Sequence, residues 1–447
     1  MSRSRWITAV VALTVQFVFS PTPTEAQDPE MRQSSGQRRG PSIISERNML
    51  VPGDANSRFY FGNDVAISDD GETLVISSYC AEPLGLWCAG SAYVFMKSEG
   101  QWLYHQTVTA VEPQRQDYFG APTLLGDTMF VGAYSNHAGG YNSAGAVYVF
   151  TRPPGADSYW TQHQKLTASN VDHWDFFGIT TAADGETVVV GAQSVSTAYV
   201  FDRNDEGDWL EQQILQLPEM GGTALAHTVA IDGDTIMVGA LQTAHSGFTE
   251  AGAVFVFTRS GGTWTQQQML TAPEPADGDF FGEAVKLSGN IAVIGATWDD
   301  LEDYGDEDPQ DYRDAGSVHI FERTGGTWVH RQMIHPREPM EGGHFGKSVA
   351  LAERILLIGS TGFSENGAAY VFTRFRDSWI QRQKISALLS TTNDAFGQSV
   401  CIDGETAIIG APYHDHSGLT DAGAAYIMRL VSLCPRRWPG WCQAWSD

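Results

Sequence analysis

"DFFGEAVKLSGNIAVIGA", Asp279 to Ala296, decides how this chain folds. An Asp-Phe-Phe-Gly turn opens it, two short apolar runs flank Ser-Gly-Asn, and Gly-Ala closes it. Taken alone, the turn has the look of a catalytic loop. Taken with the rest of the chain, it is one beat of a repeat. Aromatic-Phe-Gly or its close variants recur, with the Phe at 61, 119, 177, 281, 345 and 396, each followed by a similar double apolar run. Leu225-Ala226 stand where a seventh Phe-Gly is due, ahead of "VAIDGDTIMVGA".

Two further markers keep phase with the first. Small residues precede an alternating strand in "GSAYVF" (Gly90), "GAVYVF" (Gly145), "STAYVF" (Ser196), "GAVFVF" (Gly252), "GSVHIF" (Gly316), "GAAYVF" (Gly367) and "GAAYIM" (Gly423). Trp102, Trp160, Trp264, Trp328 and Trp379 each sit seventeen residues before the next Phe of Phe-Gly, and Trp209 sits sixteen before Leu225. Each repeat decodes into four short strands. In the fifth they are "AVKL", "IAVIGA", "SVHIF" and "WVHRQMI", divided by tight Gly-rich turns and one long loop. Apolar β-branched runs broken by Gly, Asp and Asn are the strand-and-hairpin pattern. The Asp-Gly pairs at Asp184, Asp232 and Asp403 suit tight turns that need positive φ. No amphipathic helix is visible after the N-terminal segment.

Seven four-stranded units predict an all-β fold, a seven-bladed β-propeller. The last repeat lacks a Trp strand. "ISERNMLVPGDANSRFYFG", before the first repeat, aligns with "WTQQQMLTAPEPADGDFFG", with Ile44 at the Trp position and Met49-Leu50 on Met269-Leu270. The N-terminal segment is therefore expected to supply the outer strand of the last blade and close the ring, which leaves no bare sheet edge.

On these motifs the chain resembles the FG-GAP repeat of integrin α-subunit N-terminal propellers and of exported proteins that share it. "FG", "VGA" or "IGA", and "AYVF" carry the resemblance over residues 44–430, and the full "GAP" stands at Gly410-Ala411-Pro412. The resemblance implies a seven-bladed propeller with a role in extracellular recognition or adhesion, although function varies widely on one fold. It also implies calcium in a D-x-D-x-D-G hairpin. Here those hairpins are short "DGE", "DGD" or "GDT" turns without the six to eight oxygen ligands, roughly, that calcium takes.

The repeat explains the opening stretch. The Phe is expected to pack between blades and the Gly to turn the chain. Asp117, Asp175, Asp279 and Asp394, two residues before Phe119, Phe177, Phe281 and Phe396, are expected to cap the turn through local backbone. The kinase reading of Asp-Phe-Gly fails, because the glycine-rich loop, strand Lys and catalytic loop are missing.

The flanks set the compartment. Arg3 and Arg5 followed by "WITAVVALTVQFVF" read as a secretory signal, with cleavage after "TEA" placing the mature start near Gln27. The expected organisation is a signal peptide at 1–26, a linker at 27–43, the propeller at 44–430 and a Trp-rich, disulfide-closed tail at 431–447. No later run is apolar and long enough to span a bilayer. The mature protein is expected to be soluble and secreted, extracellular or periplasmic. Five Cys fit that setting: Cys80 with Cys88 and Cys434 with Cys442 are expected disulfides, and Cys401 a buried free thiol. No N-x-[ST] sequon occurs. Among 447 residues, 42% are hydrophobic and 18% charged, as in folded proteins, and the formal net charge is −26. That charge repels nucleic acid and anionic membrane surfaces.

Candidate chemistry is sparse. "WDDLEDYGDEDPQDYRD" (Trp298–Asp314) carries nine carboxylates, among them Asp299, Asp300, Asp303, Asp306 and Asp308. Bound Ca²⁺ would relieve their repulsion; a solvated acidic loop is the alternative. In "YHDHSG", His414 and His416 alternate about Asp415 and share one face of a strand, as a metal pair or simply as a polar loop. No G-x-S-x-G elbow and no H-E-x-x-H motif occurs, so no enzyme is expected. The variable loops between second and third strands hold Tyr134, Asn136, His137, Tyr141, Phe248, Trp298, Tyr304, Phe363, Tyr413 and His414. Variable loops on a rigid ring carry binding. The expected function is an exported recognition scaffold for an extracellular protein, with a lectin-like propeller as the alternative and a central-channel hydrolase or lyase behind both.

Overall fold

The computed structural model of the chain describes residues 44–430, apart from 155–157, 195, 219–225, 302–311, 363–365 and 388–392. Within them stand seven antiparallel sheets of four strands. Only two single-turn 3₁₀ segments, Pro83–Gly85 and Ala138–Gly140, interrupt the β structure. In six blades the strands run in chain order from the channel outward, as in Ala284–Ser288, Ile291–Ala296, Ser317–Thr324 and Thr327–Ile334 of the fifth.

The burial pattern explains why the middle strands are continuously apolar. Thr128–Ala133, Thr187–Ala192 and Thr235–Ala240 are buried at every position, because neighbouring blades cover both faces. The outer strand Thr161–Leu166 alternates, with one side toward water. Phe119 is fully buried among Val75, Ala92 and Val94 of the first blade and Val131 and Tyr148 of the second. The other Phe residues of the turns are likewise at 0% exposure, as inter-blade packing requires.

The ring closes as the alignment expects. Ile44–Leu50 pairs antiparallel with Ala424–Leu430 and becomes the outer strand of the seventh blade. Ile44 lies opposite Leu430, the place that Trp264 takes opposite Arg259 in the fourth blade. The closing strand differs in one respect. Its bulge falls between Ile44 and Glu46, whereas the fourth blade's falls between Gln266 and Gln268. Both ends of the propeller thus meet on the face of tight turns, opposite the long loops.

The paired glycines of the motif meet across each blade joint. A Cβ on Gly132 would run into the carbonyl oxygen of Gly178 in the next blade, and one on Gly295 into that of Gly346. Gly191 faces the carbonyl of Ala226, so Ala226 occupies the Phe-Gly glycine slot of the degenerate repeat; Leu225 lies outside the described residues. The first joint is the exception. Ser77 replaces the Gly of Gly-Ala, and Gly120 alone among the six Phe-Gly glycines is not in the left-handed region.

A second inter-blade device is written as Trp-x-x-x-Gln. Gln213 Nε2 donates to Trp264 O at 2.7 Å while its Oε1 accepts Trp264 N–H at 2.8 Å. Gln106, Gln164, Gln268 and Gln332 hold Trp160, Trp209, Trp328 and Trp379 in the same two-point grip. Each Gln belongs to the blade before the Trp it holds. Gln213→Leu leaves both backbone groups of Trp264 unpaired and is expected to cost about 2 kcal/mol, measured by denaturant unfolding. Gln212→Leu, a one-residue shift on the same strand, serves as its control.

Candidate functional site

The turn before each Phe builds the loop face. The preceding residue is in the left-handed region: Tyr60, Tyr118, Phe176, Phe280, His344 and Ala395 have φ of 57, 51, 53, 52, 49 and 52°. For residues with a Cβ this costs on the order of 1–2 kcal/mol each. The Asp caps help hold it. Asp117 Oδ2 accepts the N–H of Gln114 at 2.8 Å, Asp175 that of Asp172 at 2.7 Å, and Asp279 that of Ala276 at 2.6 Å.

Five of those six residues carry rings, and most join a wider aromatic arc. Tyr413 meets Tyr60 edge-on at 5.4 Å; Tyr60 stacks on Tyr79 at 5.1 Å. Tyr79 touches Tyr118 at 5.8 Å, and Tyr118 stacks on Tyr134 at 5.3 Å. Tyr134 reaches Phe176 at 6.2 Å, and Phe176 leads to Trp174 at 6.3 Å. The arc spans the seventh, first, second and third blades. Its ends are open to solvent, with Trp174 at 55% and Tyr413 at 43% exposure. Burial, then the Tyr118 and Asp64 charges, pushes the Tyr134 hydroxyl up to about 12, so it stays a neutral donor. A second aromatic group, Phe280, Trp298 and His344, stands where the fifth and sixth blades meet.

The same face is acidic. Among the described residues, and leaving aside Asp64 and Glu283 in the channel, its loops carry eighteen Asp and Glu against four Arg and no Lys. That imbalance favours a basic partner over an acidic one.

Inside the arc the central channel opens into a cavity of about 320 Å³. All seven innermost strands or the turns leading into them line it. Its charged groups follow Phe-Gly or its Ala226 stand-in: Asp64, His227, Glu283 and Lys347. Lys347 Nζ lies 2.5 Å from Glu283 Oε1, and Thr297 donates to the other oxygen. Burial alone would raise the Glu283 pKa, but the ammonium and the two hydrogen bonds outweigh it, and the carboxyl is held low. Burial lowers His227 and keeps it neutral. Asp64 is pushed up to about 6 by burial, despite hydrogen bonds from Asn63 and Ser77 and the distant Lys347 charge.

Of the acidic loop, Asp299 and Asp300 are described; Asp303, Asp306 and Asp308 lie outside the described residues. Asp300 Oδ1 accepts the N–H of Asp314 at 2.8 Å. Asp299 is pushed up to about 7, first by burial, then by the Asp279 and Asp300 charges, against a hydrogen bond from Ser317. Among the described residues no three His, Cys, Asp or Glu are placed to hold a metal ion. His414 is buried and its Nδ1 sits 2.8 Å from Asp394 Oδ2, while the His416 ring lies 6.3 Å from it. That makes His414 a partner for the fourth Asp cap. Cys80 and Cys88 are bonded and Cys401 is free, whereas Cys434 and Cys442 lie outside the described residues.

The loop candidates divide. Tyr134 and Tyr413 belong to the arc and Trp298 to the second group. Asn136 is internal, donating to Asp117 at 3.0 Å and accepting from Lys165 at 2.8 Å. His137 Nδ1 lies 3.2 Å from Ser135 O, and Tyr141 packs on His173 at 5.0 Å. Phe248 is partly exposed in the turn at His245. Tyr304 and Phe363 lie outside the described residues. Sequence reasoning passed over Tyr60, Tyr79, Tyr118, Phe176 and the four channel groups. For all but Tyr79, which opens the first repeat's variable loop, the signal was the residue before Phe-Gly and the one or two after it.

Asp117 faces Asn136 and Asp394 faces His414, but Asp279 faces another carboxyl, Asp299. Because its folded pKa is raised above the unfolded value of about 4, Asp299 lowers stability progressively as pH rises from about 4 to about 7. Asp299→Asn is expected to be more stable than the parent by about 1–2 kcal/mol at pH 8, with the gap closing by about pH 4. Thermal melts across that range check it.

The comparisons agree with this architecture. The FG-GAP repeat family model matches residues 44–95, 160–204, 264–321 and 379–428. No curated protein matches the sequence. Among solved structures, a chain of the Mitotic Checkpoint Complex aligns at TM-score 0.54 and 11% identity, over 92% of this chain and 99% of that one. A Lactobacillus plantarum protein aligns at 0.50 and 14%, over 76% and 86%. A putative 6-phosphogluconolactonase from Bacteroides fragilis aligns at 0.48 and 13%, over 72% and 84%. At such identities the likeness concerns the fold alone.

Proposed function

This chain is an FG-GAP repeat β-propeller, a protein-binding scaffold in general terms, and on that premise we propose that it is an exported recognition protein which holds an extracellular protein partner on its loop face. The aromatic arc from Tyr413 to Trp174 carries the reading. Five of the six described turn positions before Phe-Gly carry rings on left-handed backbone, a strain that glycine at the same positions would avoid. Tyr and Trp offer large contact area with little entropy to lose, as binding hot spots do. The acidic loops select a partner segment carrying Lys or Arg. The protein acts by binding, without turnover, in cell adhesion or a related contact. Export rests on the N-terminal segment and the Cys80–Cys88 bond.

The half-open rings of Trp174 and Tyr413 also suit stacking on sugars, which keeps a lectin-like reading in the test. Mature chain 27–447 and a Tyr60→Ala/Tyr79→Ala/Tyr118→Ala variant are screened on extracellular-protein and glycan arrays, with calcium and with chelator. Protein hits lost in the variant are the expected result. Hits confined to glycans would replace the protein reading, and protein hits retained by the variant would move the site off the arc. Loss in chelator would assign Ca²⁺ to the Asp299–Asp314 loop. Sequencing of the exported protein should begin at Gln27.

A further inference from the structure

The channel beneath the arc is a separate feature with its own charge balance. Two carboxylates, Asp64 and Glu283, face one ammonium, Lys347, and a neutral imidazole, His227. Glu283 is already satisfied by Lys347 at 2.5 Å and by Thr297. Asp64 makes no ion pair among the described residues and takes a hydrogen bond from Asn63 at 2.7 Å. His227 Nδ1 is buried without a hydrogen-bond partner. The cavity therefore holds one uncompensated negative charge and a spare acceptor or donor nitrogen, inside about 320 Å³.

We propose that the central channel binds a small organic ammonium ion, with Asp64 as its counter-charge. The volume is at the low end of ligand pockets, which run from about 300 to 1,000 Å³, so the guest is small. An anion would add to the negative excess. A neutral guest would leave Asp64 desolvated and unpaired, the costly arrangement for a buried charge. A metal ion lacks its ligand set, since no three His, Cys, Asp or Glu converge among the described residues. A primary ammonium supplies one positive charge and three N–H donors, and Val65, Val229 and Val349, from the first, fourth and sixth blades, line the same cavity for its alkyl part.

The site stands independently of the arc, and the test separates them. Calorimetry on the mature chain uses n-butylammonium, with 1-butanol and butyrate as neutral and anionic probes of similar size. Expected is saturable n-butylammonium binding with at least about tenfold preference over both, a difference of about 1.4 kcal/mol. Asp64→Asn should weaken it about tenfold or more, Asp64→Glu should recover part of the loss, and Trp174→Ala on the rim should leave it unchanged. Thermal melts confirm that each variant is folded; were Asp64→Asn to unfold, the probe preference on the parent decides. Equal binding of 1-butanol, no binding of n-butylammonium at about 10 mM, or full binding by folded Asp64→Asn would overturn the proposal.

Discussion

Deletion of residues 44–50 is expected to stop the chain from forming a closed, monomeric ring. The segment pairs with Ala424–Leu430 at six positions, and Leu50 is 8% exposed in the joint between the seventh and first blades. Met49 packs on the neighbouring core. Losing those ladder hydrogen bonds, at about 1 kcal/mol each, and that apolar burial amounts to about 5 kcal/mol or more. A loss of that size is comparable with the whole stability of many domains. It also leaves Ala424–Leu430 as a bare edge, a template for pairing with other chains. Size-exclusion chromatography and unfolding curves check it: aggregates or an early, broad transition are expected. A monomer as stable as the parent would mean that the last blade does not need its seventh-repeat strand from the N-terminus.

Gly410→Ala is expected to be strongly damaging at the joint between the seventh and first blades. The added Cβ would sit inside contact distance of the Gly62 carbonyl oxygen, in backbone that cannot swing aside as a flexible side chain would. The hydroxyl of Ser399, which donates to Gly62 O at 3.0 Å, crowds the same point. Relief requires the seventh and first blades to part. The expected cost is about 3 kcal/mol, at the upper end for overpacking a tight core. Gly404→Ala gains the same methyl in open space at φ 51° and should cost about 1 kcal/mol. Equal losses in the two would show that backbone conformation, and not the blade contact, governs the motif. Ser77 shows how nature accommodates a side chain in this slot: its opposing glycine, Gly120, gives up the left-handed conformation.

The blade count, the strand order and the closing strand were legible because each rests on local periodicity. Phe-Gly, Ala-Tyr-Val-Phe and Trp recur in fixed phase, and a four-stranded up-and-down unit has few ways to bury its two apolar middle strands. The Asp caps were legible for the same reason, since the acceptor and its donor are three residues apart. The Gln grips were visible as Trp-x-x-x-Gln, yet their meaning was not, because each Gln holds the Trp of the following blade. Gln106 and Trp160 are distant in sequence and adjacent only in the ring.

The candidate site divides along the same line. His414 and Asp394 are twenty residues apart and read separately as a metal ligand and a turn cap; folded, they are one buried pair. Tyr60, Tyr79, Tyr118 and Tyr134 come from two repeats, and nothing local marks them as neighbours until closure places their turns side by side. Asp64 and Lys347 come from the first and sixth repeats and share a cavity only because seven innermost strands enclose one channel. The repeat, the blade and the ring are written locally, because hydrogen bonding within a blade and burial between blades depend on residues close in the chain. Tertiary structure alone decided which side chains share a surface or a cavity, because position around a closed ring is set by the rotation from blade to blade, which no single repeat encodes.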